Sequence, residues 1–80
     1  MQAEIDQLIS RITYDKGISG AKPIIRGLRF QVTDMLEMLA NGMTREQILE
    51  EHPVLETEDI SAVLFYASRI LGNITFVNTP

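Results

Sequence analysis

Three segments between residues 31 and 72 each carry a helical stripe of apolar residues with its own start and stop signals. In the first segment the apolar residues occur at positions i, i+3, i+4 and i+7: Val32, Met35, Leu36 and Leu39. This spacing places them on one face of a helix. Asn41-Gly42 is a typical end, because glycine readily adopts the left-handed conformation that follows many helices. We therefore predict a helix that begins after Gln31 and ends at Gly42.

The second and third segments have comparable signals. Thr44 and Gln47 have the spacing of a capping box, in which each side chain bonds the backbone amide of the other residue. Pro53 ends this second helix, because the residue before a proline disfavours the α conformation. For the third helix we predict Thr57 as N-cap and Gly72 as the end. Its predicted inward stripe consists of Ile60, Val63, Leu64, Ala67 and Leu71.

The residues before these helices favour extended structure. Leu8 to Tyr14 and Pro23 to Phe30 are β-prone runs separated by glycines, and Ile74 to Val77 is a third short run of this type. Two strands alone are marginally stable in water, so this β arm must pack on the helices or on a partner. The fold class we predict is mostly α with a small β arm. It is a single domain, 1–80, made of a β arm (1–30), a three-helix unit with helix-turn-helix geometry (31–72) and a short extended tail (73–80).

Composition excludes several classes of protein. A chain of 80 residues is one domain, and with no cysteine and one histidine it is neither a disulfide scaffold nor a zinc finger. No apolar run approaches the roughly 20 residues of a membrane span, and no signal peptide is visible. No serine has the sequence context of a hydrolase nucleophile. We predict a cytoplasmic protein that is not an enzyme, with no cofactor, no catalytic or metal-binding residues and no membrane partner.

Residues 12–30, ITYDKGISGAKPIIRGLRF, carry the most specific motif. They resemble the opening of the domain-of-unknown-function family 433, which has a glycine, a lysine-proline pair and then a valine/isoleucine-isoleucine-arginine-glycine-x-arginine run. The resemblance covers roughly residues 10 to 70 and continues through LEMLANGMT (36–44), QILEE (47–51), HPVL (52–55) and TEDI (57–60). The chain departs from the family at Leu28, where threonine is usual, and at Phe30-Gln31, where isoleucine-proline is common.

The resemblance implies a homeodomain-like helix-turn-helix fold. Many members of the family are similar to VapB-type antitoxins, which are encoded beside a PIN-like toxin nuclease. The function implied for this chain is therefore binding of a PIN-like toxin and of its own promoter DNA, with the protein acting as a homodimer.

The charge is unevenly distributed. The formal net charge is −4, yet residues 1–30 hold five basic and three acidic residues, whereas residues 31–80 hold two basic and eight acidic ones. Because phosphate neutralisation dominates the affinity for DNA, DNA contacts are expected mainly from the basic arm. The candidate nucleic-acid-binding residues are Lys22, Arg26, Arg29 and Arg45.

A second interpretation of the arginines stays open: Arg26 or Arg29 could form an intramolecular ion pair with an acidic residue. The partner would come from the acidic helices, for example Glu50, Glu51, Glu56 or Glu58. The acidic first turn of the third helix, Glu58-Asp59, is interpreted as stabilising the positive end of the helix dipole rather than as a DNA-reading element.

Apolar residues on the third helix and in the tail are the candidate partner interface: Phe65, Tyr66, Ile70, Ile74 and Phe76. Aromatic and aliphatic anchors of this kind carry much of the energy of protein interfaces. The helical residues among them could instead face the N-terminal segment. The alternative function is a small homodimeric interaction module that binds no nucleic acid and pairs through its β arm or tail.

Overall fold

Four helices and one two-stranded hairpin make up residues 1–15 and 21–73, the part of the chain that the computed structural model describes. The elements in order are α1 (Gln2–Ile9), β1 (Ile12–Asp15), β2 (Lys22–Ile25), α2 (Val32–Ala40), α3 (Arg45–Glu51) and α4 (Thr57–Gly72). The predicted fold class, mostly helical with a small β arm, is confirmed. The predicted tail strand, with Ile74 and Phe76, lies outside the described residues.

The predicted C-terminal end of α2 and the predicted N-terminal start of α3 are confirmed. After α2 the amide of Gly42 donates to the carbonyl of Leu39 and that of Met43 to Met38, at 3.0 and 3.1 Å. This paired arrangement needs a left-handed residue, and Gly42 has φ +90°. At the start of α3, the Gln47 amide donates to Thr44 Oγ1 at 3.1 Å, and the Thr44 amide donates to Gln47 Oε1 at 2.8 Å.

The predicted strand from Leu8 to Tyr14 is wrong in its first half. Residues 2–9 form helix α1, and strand β1 begins only at Ile12. Ile5, Leu8 and Ile9 are spaced as one helical face, and all three are half-buried. Helix α1 packs against α4, so this face is stabilised by a contact that the local sequence does not reveal. The described part of segment 1–30 is therefore a helix followed by two paired strands.

The second predicted strand, Pro23 to Phe30, is too long. β2 pairs antiparallel with β1 in a register that sets Ile12 opposite Ile25 and Asp15 opposite Lys22, and it ends at Ile25. Arg26, Gly27 and Arg29 then adopt left-handed φ values of +44°, +68° and +62°. Such values are incompatible with a continuing strand, so the chain turns here toward α2.

The core lies where the hairpin meets α2, α3 and α4. Its fully buried side chains include Ile25, Met35, Ile48, Ile60 and Val63. The inward stripe predicted for α4 is wrong at Leu64 and Leu71, which are 43% and 55% exposed. The first half of α4 is thus embedded in the core, while its second half presents large apolar residues at the surface. None of the helices described here is long and apolar enough to cross a membrane.

Candidate functional site

A buried carboxylate organises the junction between the hairpin and α4. Asp59, in the first turn of α4, is 0% exposed. Its Oδ1 accepts from Arg26 Nε at 2.9 Å and from Arg11 Nη1 at 3.0 Å, while its Oδ2 accepts from Arg26 Nη2 and the Glu56 amide, both at 2.8 Å. Both oxygens therefore have two donors each, which compensates the desolvation of the charge.

The turn after β2 positions Arg26 for this contact. The Arg26 amide donates to the carbonyl of Arg11 at 2.7 Å, and its Nη2 also donates to the carbonyl of Val54 at 2.9 Å. Arg11 in turn donates to Glu56 Oε1 at 2.6 Å. We call Arg11, Arg26, Glu56 and Asp59 the arginine-aspartate cluster. It joins the residue before β1, the turn after β2 and the start of α4.

The electrostatics of the cluster keep Asp59 ionised. Burial alone would raise the pKa of this carboxyl, but hydrogen bonds from Arg26, the Glu56 amide and Arg11 outweigh burial and hold the pKa below 3.8. The bond from the Glu56 amide also makes Glu56 the N-cap of α4, one residue before the predicted Thr57. Asp59 thus fixes the helix start, as its position in the first turn indicated, and also binds two arginines.

The four candidate nucleic-acid-binding residues fall into two groups. Arg26 forms an intramolecular ion pair, which was the alternative interpretation, although its partner is Asp59 rather than one of the four glutamates considered. Arg45 Nη1 donates at 3.3 Å to the Thr57 carbonyl and to Ser61 Oγ, so it joins α3 to α4. Lys22 and Arg29 are exposed.

The departure from the family pattern at residue 30 has a structural counterpart. The Phe30 ring packs edge-on against His52, with ring centroids 5.0 Å apart and an interplanar angle of 80°. His52 is the C-cap of α3. The aromatic residue at position 30 therefore connects the segment before α2 with the end of α3.

An apolar groove of about 250 Å³ opens between β2, α2 and the second half of α4. Its lining includes Pro23, Leu36, Tyr66, Ala67, Ile70 and Leu71. Tyr66 and Ile70, two of the predicted interface residues, therefore lie in one concave surface. The Tyr66 hydroxyl is 2.7 Å from that of Tyr14, a bond that restrains the ring at the wall of the groove.

Phe65, the third predicted interface residue on α4, lies on a different side of the helix. It lines a shallow cleft of about 320 Å³ with Arg45, Ser61, Leu64 and Ser68. We call the side of α4 that carries Ser61, Leu64, Phe65 and Ser68 the outer face. Sequence reasoning missed Leu64 because its spacing from Ile60 also suits the buried stripe. The predicted interface residues Ile74 and Phe76 are beyond the described residues.

The pair formed by Tyr14 and Tyr66 predicts a loss of stability in alkaline solution. Burial, and then the bond to Tyr14, raise the pKa of Tyr66 from 10.0 to about 12. The unfolded chain therefore ionises first, so this contribution to stability is complete below pH 10.0 and is lost as the pH rises toward 12. We expect the free energy of unfolding, from urea titrations on either side of pH 10, to fall less steeply in Tyr66→Phe than in the wild type. An equal decline in both would contradict the assignment.

Comparison with known protein families gives a match over most of the chain. A family model described as "Protein of unknown function (DUF433)" matches residues 12–67, from the first residue of β1 into the second half of α4. The matched stretch is about seven-tenths of the chain and contains the whole arginine-aspartate cluster except Arg11. No curated protein and no solved structure matches the chain.

Proposed function

The chain belongs to the DUF433 family, and we propose that it is an antitoxin-type protein that binds a PIN-like toxin nuclease through the apolar groove. The observation that carries the proposal is the exposure of large apolar residues on α4 around this groove. Ile70 and Leu71 are 46% and 55% exposed. Contiguous apolar surface of this kind marks interaction sites on soluble domains. The class of partner follows from the family resemblance.

The shape of the groove suits an anchor side chain from a partner. Its walls come from three elements, β2, α2 and α4, which the core holds in place. The ring of Tyr66 is half-buried and its hydroxyl is bonded to that of Tyr14, which restrains the ring and lowers the conformational entropy that binding would cost. Concave apolar sites with rigid aromatic walls are typical positions of binding hot spots.

Promoter DNA binding is a second candidate function, supported by the exposed Arg29 in the turn after β2. Arg26 and Arg45 already bond other parts of the chain, so we assign phosphate contacts to Lys22 and Arg29. Two cations beside an acidic helical unit would give weak, strongly salt-dependent binding.

The experiment for the first function compares two substitutions on different faces of α4. Ile70→Asp places a charge in the groove, whereas Leu64→Asp places the same charge on the outer face. The two residues are 46% and 43% exposed, so the substitutions are matched in chemistry and accessibility. The proposal expects a PIN-like protein to be encoded beside this chain, and affinity for that protein would be measured by calorimetry. We expect Ile70→Asp to weaken binding at least about 30-fold, the loss typical of a hot spot, and Leu64→Asp to leave it unchanged.

Two results would contradict the proposal. One is a wild-type chain that does not bind the adjacent PIN-like protein. The other is equal binding by wild type and Ile70→Asp, with both variants shown to be folded by circular dichroism.

A further inference from the structure

The outer face of α4 has the residue spacing of a helix-pairing surface. Ser61, Leu64, Phe65 and Ser68 follow one another at intervals of three, one and three residues, which keeps them on one side of the helix. We propose that this face pairs with the same face of a second copy of the chain, with the two α4 helices antiparallel. None of these four residues lines the apolar groove, so the inference does not rest on the proposed function.

The shape of the face is self-complementary. Two bulky side chains, Leu64 and Phe65, lie between two small ones, Ser61 and Ser68, and all four line the same shallow cleft. A two-fold axis between residues 64 and 65 sets Leu64 opposite Phe65 of the second copy and Ser61 opposite its Ser68. Each bulky pair then packs between serines that leave room for it. One patch used by both copies is the arrangement that a two-fold interface requires.

Charge at the ends of the face selects the antiparallel orientation. Arg45 bonds the Thr57 carbonyl and so lies beside the first turn of α4. The same two-fold axis sets Thr57 opposite Gly72 of the second copy, which brings Arg45 to the C-terminal turn of that copy's α4. A cation is favourable there because the last carbonyls of a helix carry partial negative charge.

Parallel pairing is disfavoured by the same cation. It would bring Arg45 beside Arg45 of the second copy rather than beside a helix C-terminus, and like charges across an interface are unfavourable. The flank of α4 that carries Glu58 and Arg69 lies beside α1, where Arg69 Nη2 is 3.7 Å from Asp6 Oδ1, so it takes no part in this pairing.

The first test is the oligomeric state. A single helix pair is a small interface, so we expect a dimer with a dissociation constant in about the micromolar range. Sedimentation of the full chain over a series of concentrations should show a monomer-dimer equilibrium for wild type and for Ile70→Asp. Leu64→Asp should remain monomeric throughout. A monomeric wild type, or an unchanged equilibrium in Leu64→Asp, would overturn the proposal.

The second test fixes the orientation by disulfide formation. The chain has no cysteine, so the introduced cysteine is the only thiol in each variant and any disulfide must form through it. A mixture of Ser61→Cys and Ser68→Cys should form a cross-linked dimer under mild oxidation, because these positions face each other across the axis. Neither variant alone should do so, since each cysteine then lies about 10 Å along the helix from its counterpart. Cross-linking of Ser61→Cys with itself, or none in the mixture, would refute antiparallel pairing.

Discussion

Replacing Asp59 with asparagine is expected to lower the free energy of unfolding by about 3 kcal/mol, as typically results from breaking a buried ion pair. The carboxylate is completely buried and accepts four hydrogen bonds, three of them from two arginines. The amide has no charge, and its NH₂ group cannot accept. The arginine side chains are 27% and 31% exposed and can recover part of their hydration, which places the loss at the lower end of the usual range.

The matched control is Glu58→Gln, the same change of charge at the neighbouring exposed position. We expect it to alter the free energy of unfolding by less than about 0.5 kcal/mol. Urea unfolding followed by circular dichroism measures both variants. Similar losses at the two positions would show that the contribution of Asp59 is only that of an acid near a helix N-terminus.

The same substitution changes the response to acid. Because the pKa of Asp59 is lower in the folded chain than its ordinary value of 3.8, the unfolded chain takes up the proton first. The stability from Asp59 is therefore fully present above pH 3.8 and is lost as the pH falls through the lower, folded-state pKa. The stability of Asp59→Asn should decline less over this acidic interval than that of the wild type.

Replacing Arg26 with alanine is the second large perturbation, with an expected loss of about 3–4 kcal/mol. It removes two donors from Asp59 and one from the Val54 carbonyl, and leaves the buried carboxylate with Arg11 as its only cation among the described residues. Arg29→Ala is the control, because Arg29 is exposed in the same turn and also has a left-handed φ. We expect the loss from Arg29→Ala to be within about 0.5 kcal/mol.

The same two variants separate stability from DNA binding. If promoter DNA is retained through the turn after β2, Arg29→Ala should weaken binding and reduce the slope of log affinity against log salt by about one. Arg26→Ala, measured at a temperature at which the variant is still folded, should leave that slope unchanged. If Arg26→Ala lost DNA binding completely but kept the stability of the wild type, Arg26 would instead be assigned a phosphate contact.

The three later helices could be predicted from the sequence because their signals are local. A capping box, a left-handed glycine and a proline each act within one turn of the helix end that they define, as at Thr44 and Gly42. Helix α1 could not be predicted this way, because its apolar face is short and depends on packing against α4. The length of β2 was overestimated because Arg26 and Arg29 adopt left-handed conformations that are unusual for residues other than glycine.

The candidate site was only partly predictable because it, too, depends on contacts between residues far apart in the sequence. An ion pair of Arg26 with an acidic helix was one of two interpretations, but the choice of Asp59 depends on a contact across 33 positions of sequence. Periodicity also could not separate the two sides of α4, since Leu64 and Ile70 both extend an apolar stripe. Only the packed structure shows that one lies on the outer face and the other near the groove.

The bond between Arg26 and Asp59 closes a loop that contains the whole of α2 and α3. The desolvated carboxylate at the start of α4 is therefore satisfied only after the turn that follows β2 has docked, which ties the formation of α4 to that of the hairpin. Folding should then be cooperative from β1 to α4, and a fragment that begins at α2 would lack both arginines that bind Asp59. The stretch that matches the family, residues 12–67, corresponds closely to this cooperative unit.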